Sequence, residues 1–171
     1  MPQHIPDTIK KGEIIILVFE IDSTQEKWSD YDTILSKNEK NKAHEFQHPD
    51  DRLSFTKCRS ILRSTLSKWL NCDPNEINII HRENGKPYLE HSKVIEFNIT
   101  HTKGLAAIAF SIDSEIGIDV ENLNREINLE QIAKKVFTTS EQSLIDSINN
   151  SEVYIKKLLE TNFVDESIHV K

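Results

Sequence analysis

DRLSFTKCRSILRSTLSKWLN, residues 51–71, is the stretch on which the fold turns. Phe55, Cys58, Leu62, Leu66 and Trp69 recur in it at spacings of three and four, the interval that stacks side chains along one side of an α-helix. Pro49 and Asp50 just before it mark a helix start. The stretch therefore predicts a long amphipathic helix with one buried stripe. Beside that stripe, Arg52, Arg59 and Arg63 are separated by seven and four residues and share a second face. Two readings of that face stay open: guanidinium groups converging on phosphate, or an ordinary solvated basic face.

Upstream, Ile14–Glu20 is an almost continuous apolar run with β-branched residues, which reads as a buried strand. Residues 37–46 are charged and helix-permissive. Downstream, residues 77–80, 86–89, 96–100, 105–112 and 116–120 read as short strands, with Asn84-Gly85 the strongest turn signal among them. Helical spacing returns at 129–137 and at 140–148, the second with Thr139 or Ser140 at its cap. Helices segregated from hairpin-linked strands predict an α+β fold.

Composition narrows the function classes. With 171 residues, 37% hydrophobic and 29% charged, the chain suits one globular domain or two small ones. Four Gly, five Pro and no repeat exclude collagen-like and linker-like sequence. No apolar run approaches the roughly 20 residues that span a bilayer, and the polar start lacks the apolar region of a signal peptide, so a cytoplasmic protein without membrane contact is expected. Cys58 and Cys72 are too few for a disulfide framework and have no metal-ligand companions at short spacing; Cys58 reads as a core thiol. The formal charge is −7, yet residues 36–68 hold eight Lys and Arg against four Asp and Glu, which leaves −11 on the rest. Such polarity suits a basic surface for an anionic ligand, or merely a solvated charged face, and disfavours bulk nucleic-acid binding.

Three segments carry residues suited to phosphate chemistry. In Ile116-Gly117-Ile118-Asp119-Val120-Glu121, period two puts Asp119 and Glu121 on one face of a strand. Paired hard oxygen ligands are what Mg²⁺ needs when substrate phosphates and waters complete its octahedron, although an edge strand with a polar outer face gives the same pattern. His101 closes Phe97-Asn98-Ile99-Thr100-His101-Thr102 just before the turn at Lys103-Gly104. There an imidazole and hydroxyls can donate to phosphate oxygens, or the histidine is a surface or capping residue. Lys86, after the Asn84-Gly85 turn, binds phosphate or solubilises a hairpin.

Taken in order, Asn84-Gly85-Lys86-Pro87, then 97–102, then Gly117-Ile118-Asp119-Val120-Glu121 resemble the 4′-phosphopantetheinyl transferases of the surfactin-synthetase-activating type. His48-Pro49-Asp50-Asp51-Arg52 with Arg59 and Arg63, and Val136-Phe137-Thr138-Thr139-Ser140-Glu141, fit the same family. The resemblance implies Mg²⁺-dependent transfer of the phosphopantetheine arm of coenzyme A to a serine of an acyl or peptidyl carrier protein. By motif position it implies that Asp119 and Glu121 hold Mg²⁺, that Lys86, Pro87, Thr100 and His101 contact coenzyme A, and that Lys42 and Arg52 lie near its nucleotide phosphates. His101 and Glu166 are the expected catalytic residues, with Glu166 also the third metal carboxylate.

The family continues with a helix bearing a Trp, Lys-Glu and later Lys pattern, then further strands. Here residues 164–171 read VDESIHVK, without the tryptophan and with Lys171 one residue late. The family fold is two similar α+β halves with antiparallel sheets. The expectation is thus a complete first half at 1–113, which binds the coenzyme A phosphates, and an incomplete second half at 114–171, which carries the metal-binding strand and C-terminal helices, as in a C-terminally truncated or degenerate member with little activity or in one whose missing strands come from a partner chain. Two function classes stay open: a transferase, or a non-catalytic module that binds coenzyme A or a carrier protein.

Overall fold

The computed structural model describes residues 5–90 and 94–120. In chain order these form β1 (Ile14–Glu20), α1 (Lys37–Glu45), α2 (Pro49–Leu70), β2 (Ile79–His81), β3 (Pro87–Leu89), β4 (Ile95–Thr102) and β5 (Leu105–Ile112), with single 3₁₀ turns at Trp28–Asp30 and Pro74–Glu76. The architecture is α+β, with every strand pair antiparallel. Strands β1, β5 and β4 make one sheet in that order, and β2 with β3 makes a separate hairpin.

Capping chemistry sets the helix ends. Ser36 Oγ accepts from the Glu39 N–H, and the Glu39 carboxylate returns a bond to the Ser36 N–H at 2.9 Å, so both ends of a capping box are closed at the start of α1. Pro49 occupies the first turn of α2, where its missing N–H costs nothing. Asn71 ends α2 in the left-handed region at φ 51°, which lets the Asn71 and Cys72 amides both reach the Ser67 carbonyl.

One face of the larger sheet packs on α2. Register brings Phe97 and Ile15 beside Phe110, and Leu17 beside Ile108. Of the predicted helix stripe, Cys58, Leu62 and Leu66 are 3%, 0% and 0% exposed. Burial pushes the Cys58 thiol up to about 12, in keeping with an inert core residue. Trp69 meets Phe110 edge-on, with centroids 4.8 Å apart. Phe55 departs from the stripe: it is half-buried against Phe46 and the Arg59 guanidinium, and Leu53 and Ile61 fill the core in its place.

The expected strand at 116–120 is not one. Its amides are taken by side chains rather than by a backbone ladder: Asn98 Oδ1 accepts the Ile118 N–H and Thr100 Oγ1 accepts the Val120 N–H, both at 3.2 Å. The segment still runs extended beside β4, on the face that alternation turns away from α2. Among the described residues, no helix is long and apolar enough to cross a membrane. The helical expectations at 129–137 and 140–148, the Val136 to Glu141 motif, and Glu121 and Glu166 lie outside the described residues, as does most of the expected second half.

Candidate functional site

The turn between β2 and β3 is built by Asn84 and Gly85. Gly85 sits at φ +83°, a conformation that strains any side chain, and its N–H bonds the Arg82 carbonyl at 2.8 Å. The Asn84 side chain caps the Lys86 N–H at 3.1 Å. This is a three-residue loop with a left-handed glycine rather than a two-residue turn. It aims Lys86 across to the segment after β5, where Nζ donates to the Ile116 carbonyl at 2.9 Å.

From β4, Thr100 Oγ1 donates to Asp119 Oδ1 at 3.0 Å, and the Val120 N–H bonds the same carboxylate oxygen at 3.0 Å. Lys86 and Thr100 therefore reach the same segment, at Ile116 and at Asp119, three residues apart. Alternation along β4 puts His101 on the opposite face from Thr100, exposed at the end of the strand. Asp119 is exposed, and the hydrogen bonds described for it fall on Oδ1. A carboxylate anchored by one oxygen suits single-oxygen ligation of a hard cation. Among the described residues, no group of three or more His, Cys, Asp or Glu converges to hold a metal ion.

The basic face of α2 is neither solvated nor open to phosphate over most of its length. Arg63 is 2% exposed and is spent on protein partners: Nε on Glu39 Oε2 at 2.6 Å, and Nη1 on the Pro74 and Ile77 carbonyls. Arg59 is also buried, with Nη2 3.3 Å from His81 Nε2 and Nε 4.0 Å from Glu39 Oε1. Burial, then the nearby Arg59 charge, holds the His81 imidazole below its ordinary value. The arginines share one face, as their spacing predicts, but that face turns toward Glu39 of α1 and His81 of β2. Arg52 is half-buried, lies 5.4 Å over the Trp28 ring and donates to the Phe46 carbonyl at 3.0 Å. Lys42 is exposed and paired with Glu45 at 2.8 Å.

Two further residues matter here. Glu39 joins the α1 cap to Arg63, and its signal was the Ser36-x-x-Glu39 spacing of a capping box. Arg82, just before the turn, binds Glu115 and Glu96. No local pattern links these three.

The family described as "4'-phosphopantetheinyl transferase, N-terminal" matches residues 21–113. Similar proteins include the 4′-phosphopantetheinyl transferase HetI of Nostoc sp., 30% identical over 148 residues that cover 85% of this chain and 62% of that one. The 4′-phosphopantetheinyl transferase Sfp of Bacillus subtilis is 31% identical over 121 residues, 70% of this chain and 52% of its own. A putative 4′-phosphopantetheinyl transferase of Synechocystis sp. is 27% identical over 71% of this chain and 50% of its own. The chain thus spans about half to three-fifths of the length of the curated relatives it matches. Among solved structures, a holo-(acyl-carrier-protein) synthase from Bacillus anthracis in complex with CoA (3',5'-ADP) aligns at a TM-score of 0.46 and 22% identity, over 57% of this chain and 91% of that one. That likeness is too distant to carry a functional argument. The match over 21–113, more than half of the sequence, settles kinship: the chain belongs to the 4′-phosphopantetheinyl transferase family.

Proposed function

We propose that the chain transfers the 4′-phosphopantetheine arm of coenzyme A to a serine of an acyl or peptidyl carrier protein. Family membership supports this, and one arrangement in the chain itself carries it: the Lys86 ammonium, the Thr100 hydroxyl and the Asp119 carboxylate gather on residues 116–120. In the reaction the serine oxygen bonds to the phosphorus that bears the pantetheine arm. The bond from that phosphorus to the bridging oxygen of the pyrophosphate breaks, and adenosine 3′,5′-bisphosphate leaves with the electron pair. The serine proton passes to a base or to water.

Such a transfer is mostly positioning and charge neutralisation. Asp119, with Glu121 and Glu166 in the roles the resemblance gives them, would hold Mg²⁺, which when bound neutralises charge on the pyrophosphate. Thr100 fixes the Asp119 carboxylate. Lys86 and Pro87 flank the pyrophosphate from the hairpin. His101 reaches the ligand around the end of β4 and serves as a proton carrier. Lys42 and Arg52 lie at the nucleotide end, where Arg52 acts chiefly by fixing the chain after α1. In this reading 1–113 supplies the coenzyme A phosphate contacts and 114–171 the metal carboxylates.

Calorimetric titration with coenzyme A, with and without Mg²⁺, tests the reading together with a mass-shift assay on a carrier protein. Mg²⁺-enhanced binding with a phosphopantetheine mass gain is the expected result. Binding without a mass gain would identify a non-catalytic module, and absence of binding would overturn the proposal.

A further inference from the structure

Arg82 and Lys86 flank the Asn84-Gly85 turn, and both reach residues 114–120. Arg82 Nη1 meets Glu115 Oε1 at 2.5 Å, while its Nη2 meets Glu96 on β4 at 3.1 Å. One guanidinium fork thus spans the strand and the segment beside it. Four residues past Arg82, Lys86 Nζ holds the carbonyl of Ile116, the residue after Glu115, and Ile116 is 2% exposed. From the β4 side, Asn98 and Thr100 hold the Ile118 and Val120 amides.

A segment without a backbone ladder has little to fix it except such contacts. Asp119 lies inside it, three residues past the point that Lys86 grips. The bond from Arg82 keeps the Glu115 carboxyl below its ordinary range, so the pair is ionised at neutral pH.

We propose that Arg82 and Lys86 are positioning residues: the β2–β3 hairpin clamps residues 114–120 against β4 and so sets where the Asp119 carboxylate stands. The clamp also ties the hairpin's ligand to the carboxylate. An ammonium has three donors, and the bond to the Ile116 carbonyl uses one, so an anion can join Lys86 without breaking the grip. That second step rests on the reading of Lys86 and Asp119 given under Proposed function, whereas the clamp itself does not.

Amide hydrogen exchange of the metal-free 171-residue chain, together with Mg²⁺ titration in the presence of coenzyme A, tests the proposal. Glu115 is exposed and Arg82 half-buried, and neither belongs to the apolar core, so Glu115→Gln and Arg82→Gln leave the core intact, and α2 amides serve as the internal reference. Both variants should speed exchange at Ile118 and Val120 by up to about fivefold, the worth of an exposed ion pair, with α2 unchanged. The double variant should add little beyond Arg82→Gln, which already removes the bond to Glu115. Arg82→Lys keeps the charge without the fork and should recover part of the protection. Mg²⁺ affinity should fall in step.

Unchanged exchange at Ile118 and Val120 in both variants overturns the clamp. Faster exchange with Mg²⁺ affinity unaltered overturns its positioning role. Should the unaltered chain fail to bind coenzyme A while the variants still loosen the segment, the clamp stands and the proposed function falls.

Discussion

Thr100 Oγ1 stands between Asp119 and Val120, donating to the Asp119 carboxylate at 3.0 Å and accepting the Val120 N–H at 3.2 Å. A single buried hydroxyl thereby satisfies the segment in both directions. Thr100→Val keeps the shape and removes both bonds. A hydrogen bond to a charged group is worth about 1.5–3 kcal/mol, so exchange of the Val120 amide should rise roughly ten- to hundredfold. Thr100→Ser should stay near the unaltered chain. Equal Val120 exchange in the Thr100→Val variant would remove Thr100 as the anchor.

Asp119 itself is exposed, and its substitution has little packing to disturb. Asp119→Ala should therefore abolish the Mg²⁺ enhancement of coenzyme A binding while shifting the melting temperature by only a few degrees, about the effect of a surface change. Calorimetry on both chains, read beside their thermal unfolding, checks this. Retention of the Mg²⁺ effect in the variant would rule out Asp119 as a ligand.

The difference between Thr100 and Ile118 shows what the sequence could display and what it could not. Ile14–Glu20 and Leu105–Ile112 were legible to the residue, because runs of apolar side chains are visible in one dimension, although β5 alone is buried along most of its length and β1 leaves Ile14 and Val18 exposed. Residues 116–120 carry apolar side chains too, yet their amides find Asn98 and Thr100 instead of a neighbouring strand, and hydropathy does not register who accepts a hydrogen bond. The arginines of α2 fail in a related way. Their spacing sets a common face, but what turns that face inward is distant in sequence: the Glu39 carboxylate, 24 residues upstream of Arg63, and the carbonyls of Pro74 and Ile77. The Asn84-Gly85 turn that presents Lys86 was legible because turn chemistry is a local pattern, whereas the Arg82 bonds to Glu96 and Glu115 join residues 14 and 33 apart.

Glu39 is the next test, because it neutralises a guanidinium that water hardly reaches. Arg63 is 2% exposed and Arg59 is 8% exposed. Glu39→Ala would leave a buried charge without its counter-ion, at a cost of about 3–5 kcal/mol, in addition to half of the α1 capping box. Urea denaturation should show the midpoint falling accordingly. A loss under about 1 kcal/mol, the range of an exposed pair, would mean that water reaches Arg63 after all.

The last prediction concerns pH. Lys57, on α2, has a side chain only 3% exposed, and its ammonium is closed by Glu26 at 2.5 Å and the Glu20 carbonyl at 2.7 Å. Tyr31 adds its hydroxyl to Glu26 at 2.8 Å, so the loop after β1 is pinned to the helix through one carboxylate. Burial by itself would raise the Glu26 carboxyl, but hydrogen bonds from Lys57 and Tyr31 outweigh it and hold the group below its ordinary value of 4.5. The sign follows from linkage. In the unfolded chain Glu26 takes up its proton near pH 4.5, whereas in the folded chain it does so only at lower pH. Its contribution to stability is therefore complete above that pH and is lost as pH falls through the folded value. Glu26→Gln removes the contribution and leaves the Lys57 ammonium buried without a counter-ion, a loss of about 3–5 kcal/mol at neutral pH. Denaturation of the two chains over a pH series should show the gap widest near pH 7 and narrowing below pH 4.5. A gap that is constant or grows in acid would show that the pair does not hold the loop through its charge.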